Sequence, residues 1–129
     1  PSATELAIGD KEGNMKVYNL ETMELCSSHS AHNAEILTMH YSPPIMVGDP
    51  DEGEQSSVVL LATAGRDRLV HTFDASDQYR HMLTLDNHSA SVTAVRFTGD
   101  GRRLLTCGGD KTMTLNRVTP TEARACLIF

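Results

Sequence analysis

Residues 89–116, SASVTAVRFTGDGRRLLTCGGDKTMTLN, decide how this chain folds. Val92, Ala94, Val95 and Phe97 form an apolar run around Thr93 and Arg96, and Asp100-Gly101 turns it back. Residues 104–107 are a second run, Gly108-Gly109-Asp110-Lys111 a second turn, and residues 112–115 alternate polar and apolar. Asp-Gly and Gly-Gly-Asp suit turns that need backbone at positive φ, so between β-rich runs they signal hairpins. A three-strand meander of this size leaves a face uncovered, and is expected to be one unit of a larger repeat.

Outward from that stretch the same texture recurs. Residues 5–8 and 15–19 read as strands about the turn 9–14, with a brief edge strand at 24–27. Residues 34–41 form a strand stopped by Ser42-Pro43-Pro44. The segment 44–57 is acidic and contains glycine and Pro50, which predicts a mobile surface insertion without regular structure. Residues 58–64 read as a buried strand, 65–68 as its turn, 69–74 as the returning strand and 79–85 as an outer one. A last outer strand is expected over 123–129.

These segments superpose on one another. Thr63-Ala64-Gly65-Arg66-Asp67 matches Thr106-Cys107-Gly108-Gly109-Asp110 at a shift of 43 residues. Ala31-His32 matches Asn87-His88 at a shift of 56, the excess being about the length of the insertion. A weaker copy places Ile8 and Glu12 at the Thr and Asp positions. A repeat near 43 residues with four strands per unit has the period of β-propeller blades. Period-two alternation and glycine turns argue against helical repeats of similar length.

On those markers the chain resembles WD-repeat proteins over essentially its whole length. The resemblance implies an all-β fold, a partial β-propeller of about three blades of four-stranded antiparallel sheet. The first blade (1–28) is incomplete, the second (29–85) carries the acidic insertion 44–57, and the third spans 86–129. In that family a His, a Ser/Thr, an Asp and a Trp form a hydrogen-bonded network in each blade. By resemblance His32, Thr63 and Asp67 make one such structural network and His88, Thr106 and Asp110 another. The Trp position is expected at Tyr18, Phe73 and Asn116, which truncates the network. The wording of GDKEGNMKVYNLETMEL, ATAGRDRLVHTFDA and TLDNHSASVTAVRF is similar to the large WD-repeat scaffolds that bind mitogen-activated protein kinases, among them a centrosome- and spindle-pole-associated member.

Composition narrows the partners. The chain has 129 residues, a formal net charge of −6 and no Lys/Arg run, which disfavours generic binding to nucleic acid or to an anionic membrane. Cys26, Cys107 and Cys126 lack CxxC spacing and suit reduced thiols in a cytoplasmic setting. The start at Pro1, almost directly in a strand, reads as the cut end of a longer protein whose remaining blades would be partners.

The chemistry expected is non-catalytic. A His–Asp–Thr set can perform acid–base or nucleophilic work, but a regularly duplicated set is what a brace needs and an active site does not. His29 and His32 are three apart, with no CxxC or HExxH beside them, and His71 and His81 fall in separate strands, so no metal is assigned. No glycine loop carries the Lys-Ser/Thr of a phosphate-binding loop, and no cofactor is implied. Arg66, Arg68 and Lys111 are candidate contacts for an acidic or phosphorylated partner, set against the plainer reading of solvated turn charges. The expected role is a protein–protein interaction scaffold, cytoplasmic or cytoskeletal, at centrosome, spindle or cilium, with kinases or microtubule-associated components as partners. A propeller-type hydrolase and a self-assembling module are the alternatives.

Overall fold

The computed structural model describes residues 4–49 and 54–118, and every regular element in them is a strand. The first sheet is ordered β1-β2-β3, from Glu5–Gly9, Asn14–Asn19 and Leu25–Ser30. The chain then enters β4 (Ile36–Tyr41), leaves through the hairpin β5 (Ile45–Asp49) and β6 (Glu54–Val58), and returns as β7 (Leu60–Gly65). With β8 (Val70–Asp74) and β9 (Arg80–Leu85) these make the middle sheet, β4-β7-β8-β9. The third sheet is β10-β11-β12, from Val92–Phe97, Arg103–Gly108 and Met113–Arg117. All strand pairs are antiparallel.

Alternation along β7 explains the stacking. Every residue of this strand is buried. Leu60, Ala62 and Ala64 join Ile45, Val70, Leu83, Leu85, Val92, Val95, Phe97 and Leu104 in the second core, between the middle and third sheets. Leu61 points the other way and joins Met15, Val17, Ile36, Val59, Phe73 and Tyr79 in the first core, between the first and middle sheets. A sheet covered on both faces needs a near-continuous apolar run, and LLATAG supplies it with Thr63 as its one polar side chain. Each large side chain buried there contributes roughly 1.5–3 kcal/mol.

The repeat extends to backbone irregularities. A bulge opens the inner strand at Ile36/Thr38 in the middle sheet and at Val92/Ala94 in the third. A second recurs in the outer strand, where Cys26 of β3 and Met82 of β9 are the extra residues opposite Val17/Tyr18 and Thr72/Phe73. In the turns before β2, β8 and β12 Gly13, Arg68 and Lys111 occupy one left-handed position, with φ of 91°, 71° and 66°. Only the first of the three is the residue such a backbone favours.

The segment 44–57 departs from expectation. Its ends pair as a hairpin from Ile45↔Val58 to Asp49↔Glu54. Ile45 is 1% exposed in the second core, and Arg102 Nη2 donates to the Met46 carbonyl at 3.1 Å. The buried run expected at 58–64 is therefore split: Val58 closes the hairpin, Val59 enters the first core and Leu60 begins β7. The edge strand expected at 24–27 is Leu25–Ser30. The strand expected over 123–129 lies outside the described residues. Among the described residues the sheets form an open arc, with β1 at one end and no inner strand beside it.

Candidate functional site

The polar interior lies where the loop into one inner strand meets the turn of the same sheet. His32, between β3 and β4, is 4% exposed. Its Nδ1 lies 3.0 and 2.9 Å from the two Asp67 carboxylate oxygens, and its Nε2 lies 2.7 Å from Thr63 Oγ1. The nitrogen facing an anion carries the proton, so Nδ1–H donates to Asp67 and the Thr63 hydroxyl donates to Nε2. Asp67 also accepts from the backbone N–H of Leu69 at 3.1 Å and of Asn33 at 3.3 Å. Burial alone would raise its carboxyl; the Leu69 N–H and the His32 imidazole outweigh that and hold it below the usual range.

The third sheet repeats the arrangement. His88 Nδ1 lies 3.2 Å from both Asp110 oxygens, and its Nε2 2.8 Å from Thr106 Oγ1. Asp110 accepts from the Thr112 hydroxyl at 2.7 Å and the Ser89 N–H at 2.9 Å. The Thr112 hydroxyl and the Ser89 N–H, ahead of His88, hold this carboxyl far below the ordinary carboxylate range. The structure thus brings together His32, Thr63 and Asp67 in one cluster and His88, Thr106 and Asp110 in another.

Tyr18, Phe73 and Asn116, the positions expected for tryptophan, lie in the third strand of their units. Directly across from Ile8, Thr63 and Thr106 stand Lys16, His71 and Thr114, two residues before them. Thr114 Oγ1 lies 2.5 Å from Thr106 Oγ1, so the cluster in the third sheet has a fourth polar member. Phe73 instead packs in the first core, and Asn116 accepts from Asn87 Nδ2 at 3.1 Å. In the first turn Glu12 is exposed, and Asp10 does the local work by accepting from the N–H groups of Glu12 and Asn14.

The cationic candidates surround these turns. Arg66 Nε donates to Glu35 Oε2 at 2.7 Å, a pair open to solvent. Arg68 and Lys111 sit at equivalent turn positions with exposed side chains. The structure places these three on the turn edge without joining them into one pocket.

His32, Asp67 and His71 also offer ligand atoms within 4.8 Å of one another. Both His32 nitrogens and both Asp67 oxygens are already engaged, so a cation there would have to dismantle the cluster. His71 is pushed down to about 4, chiefly by burial and then by the nearby His32 and His81. Sequence reasoning missed how close His71, His81 and Thr84 lie; the signal available was their alternation on two strands joined by a short turn.

Comparison with known proteins places this geometry. Residues 79–115 match the family described as WD domain, G-beta repeat. The chain is 38% identical to WD repeat-containing protein 62 of Sus scrofa over 114 residues, and 39% identical to mitogen-activated protein kinase-binding protein 1 of Homo sapiens over 115. Each match covers 88% of this chain and 7% of the relative, so the chain spans a small part of their length. Nuclear distribution protein PAC1 of Fusarium vanettenii is 30% identical over 101 residues, covering 78% of this chain and 20% of that protein. Among solved structures, a humanized mutant of the Chaetomium thermophilum Polycomb Repressive Complex 2 superposes with a TM-score of 0.72 at 24% identity, over 89% of this chain and 23% of that one. The repeat match, these relatives and the three stacked antiparallel sheets agree: the chain belongs to the WD-repeat family and folds as an open part of a β-propeller.

Proposed function

We propose that this chain is a non-catalytic platform for binding other proteins. The observation that carries this reading is the repetition of one His–Thr–Asp geometry in adjacent sheets, with the His hydrogen-bonded to both the Thr and the Asp in each. Such clusters act as struts that hold the turns rigid, and an active site has no use for two copies. Rigid turns then present Arg66, Arg68 and Lys111 to solvent, where guanidinium and ammonium groups suit an acidic or phosphorylated segment. Two relatives, mitogen-activated protein kinase-binding protein 1 and nuclear distribution protein PAC1, support by their names kinase signalling and microtubule-based assemblies as the setting, in the cytoplasm or at centrosome, spindle or cilium. Among the described residues no helix is long and apolar enough to cross a membrane.

The test is capture of bound proteins by the unsubstituted protein and by its Arg66→Glu, Arg68→Glu, Lys111→Glu variant. Loss of specific partners from the folded variant supports the platform; an unchanged set removes these residues from the interface. Hydrolytic turnover abolished by His88→Ala in a folded protein would replace the platform with an enzyme.

Self-assembly is a second reading, favoured by the exposed edge β1, where Leu6 and Ile8 are 45% and 44% exposed. It predicts that particle size by light scattering rises with concentration.

A further inference from the structure

The inner edges of the middle and third sheets meet at β4 and β10, which belong to different ladders. An edge strand leaves alternate backbone N–H groups pointing away from its own sheet. Just past β10 the Thr98 N–H donates to the Arg103 carbonyl at 2.9 Å, so the Phe97 N–H, one residue back, leaves at the free edge. There it meets β4, donating to His40 Nδ1 at 3.0 Å. The His40 and Phe97 rings stack, with centroids 5.9 Å apart and planes at 27°, which fixes the imidazole with Nδ1 toward that N–H.

This bond determines a protonation state. A backbone N–H only donates, so Nδ1 holds a lone pair and the ring proton sits on Nε2. A second proton would set N–H against N–H at the same point; the hydrogen bond and the charge exclude each other. The surroundings favour the neutral form. From β10 the Arg96 guanidinium faces His40, with Nη1 donating to the Val95 carbonyl at 2.7 Å. From β7 the residue directly across is Ala62, and from β1 Leu6 and Ala7 line the neighbouring cavity. Tyr41, next on β4, keeps its hydroxyl on Tyr79, which also holds Glu5 of β1. Burial first, and Arg96 second, keep His40 below its ordinary value of 6.5.

The strut histidines recur from sheet to sheet, and His40 does not. The 56-residue shift that carries His32 onto His88 carries His40 onto Arg96, a group that cannot accept. As a static bond His40 satisfies one N–H that water could serve at an open edge. As a titrating bond it does something water cannot.

We propose that His40 is a pH-sensitive latch between the middle and third sheets: neutral, it accepts the Phe97 N–H and fastens β10 to β4; protonated, it releases that N–H and repels Arg96. The unfolded chain takes up this proton first as the pH falls. The latch therefore contributes fully above about pH 6.5 and is lost as the pH drops through the folded value. That window lies above the one in which Asp67 and Asp110 are protonated.

The experiment follows the Phe97 amide and the His40 ring by NMR from about pH 8 to about pH 5, in the unsubstituted protein and in His40→Asn. The asparagine carbonyl oxygen accepts the same N–H and does not titrate. In the unsubstituted protein the two signals are expected to titrate together with a midpoint below 6.5. Phe97 amide protection, corrected for intrinsic exchange, is expected to fall roughly three- to tenfold over that range. In His40→Asn it is expected to stay level, and Arg96→Gln is expected to move the His40 midpoint upward. Should His40→Asn not fold, the joint titration in the unsubstituted protein decides alone. Phe97 protection that is unchanged across the range, or that falls equally in His40→Asn, would overturn the latch.

Discussion

Thr106 faces Thr114 directly across the third sheet, hydroxyl to hydroxyl, while also reaching His88 Nε2 at 2.8 Å. One oxygen thus links the outer half of the sheet to the buried imidazole, accepting from Thr114 and donating to His88. Thr106→Val is expected to destabilise the fold by about 1–3 kcal/mol, because a buried imidazole nitrogen loses its partner. Thr114→Val should cost less, since the Thr106 donation to His88 survives. Urea unfolding of the two variants checks the order; equal losses would place the weight on packing instead.

Asp110 and Asp100 separate a strut from an ordinary turn. Asp110 serves His88, Ser89 and Thr112 together, whereas exposed Asp100 serves only its own turn, through Thr98 and Arg102. Asp110→Ala should therefore lower the melting temperature much more than Asp100→Ala. Matching thermal scans would contradict that assignment.

Acidity gives an independent reading of the same carboxylates. Asp67 and Asp110 titrate below the ordinary value of 3.8 in the folded chain. The unfolded state then binds protons first as pH falls, so their stabilisation is present above about pH 4 and is lost progressively as pH drops toward the folded values. The stability difference between the parent and Asp110→Asn should stay level from neutral pH to about pH 5 and shrink below that. A difference that grows on acidification would show the sign to be wrong.

Ile45 tests whether the 44–57 hairpin belongs to the core. With 1% of its surface exposed between two sheets, truncation to alanine should cost about 2–5 kcal/mol. A loose surface insertion would tolerate the change, and chemical denaturation distinguishes the two.

Gly65 is held by close approach. A Cβ at this position would overlap the Glu35 carbonyl oxygen, which accepts from the Arg66 N–H at 2.9 Å. Gly65→Ala should destabilise the middle sheet, with faster amide exchange at Arg66 than in the parent.

Local chemistry made the strands, turns and repeat readable from the chain alone. Hairpin turns are chosen by the residues within them, and Gly65 and Gly108 recur at the same place with the apolar alternation around them. That alternation also assigned the all-β fold, because a period of two cannot cover one face of a helix. What depended on distance in space was decided by the tertiary structure. Cross-strand partners hinge on where pairing begins after each turn, which sets His71 opposite Thr63 and Thr114 opposite Thr106. The hairpin 45–58 holds its place because Ile45 finds the second core and Arg102 finds its backbone, contacts that no feature within the segment announces. The meeting of His71 and His81 goes with an extra residue, Met82, in the outer strand opposite Thr72/Phe73. Periodicity is a property of neighbours along the chain; convergence of side chains is a property of how the sheets stack.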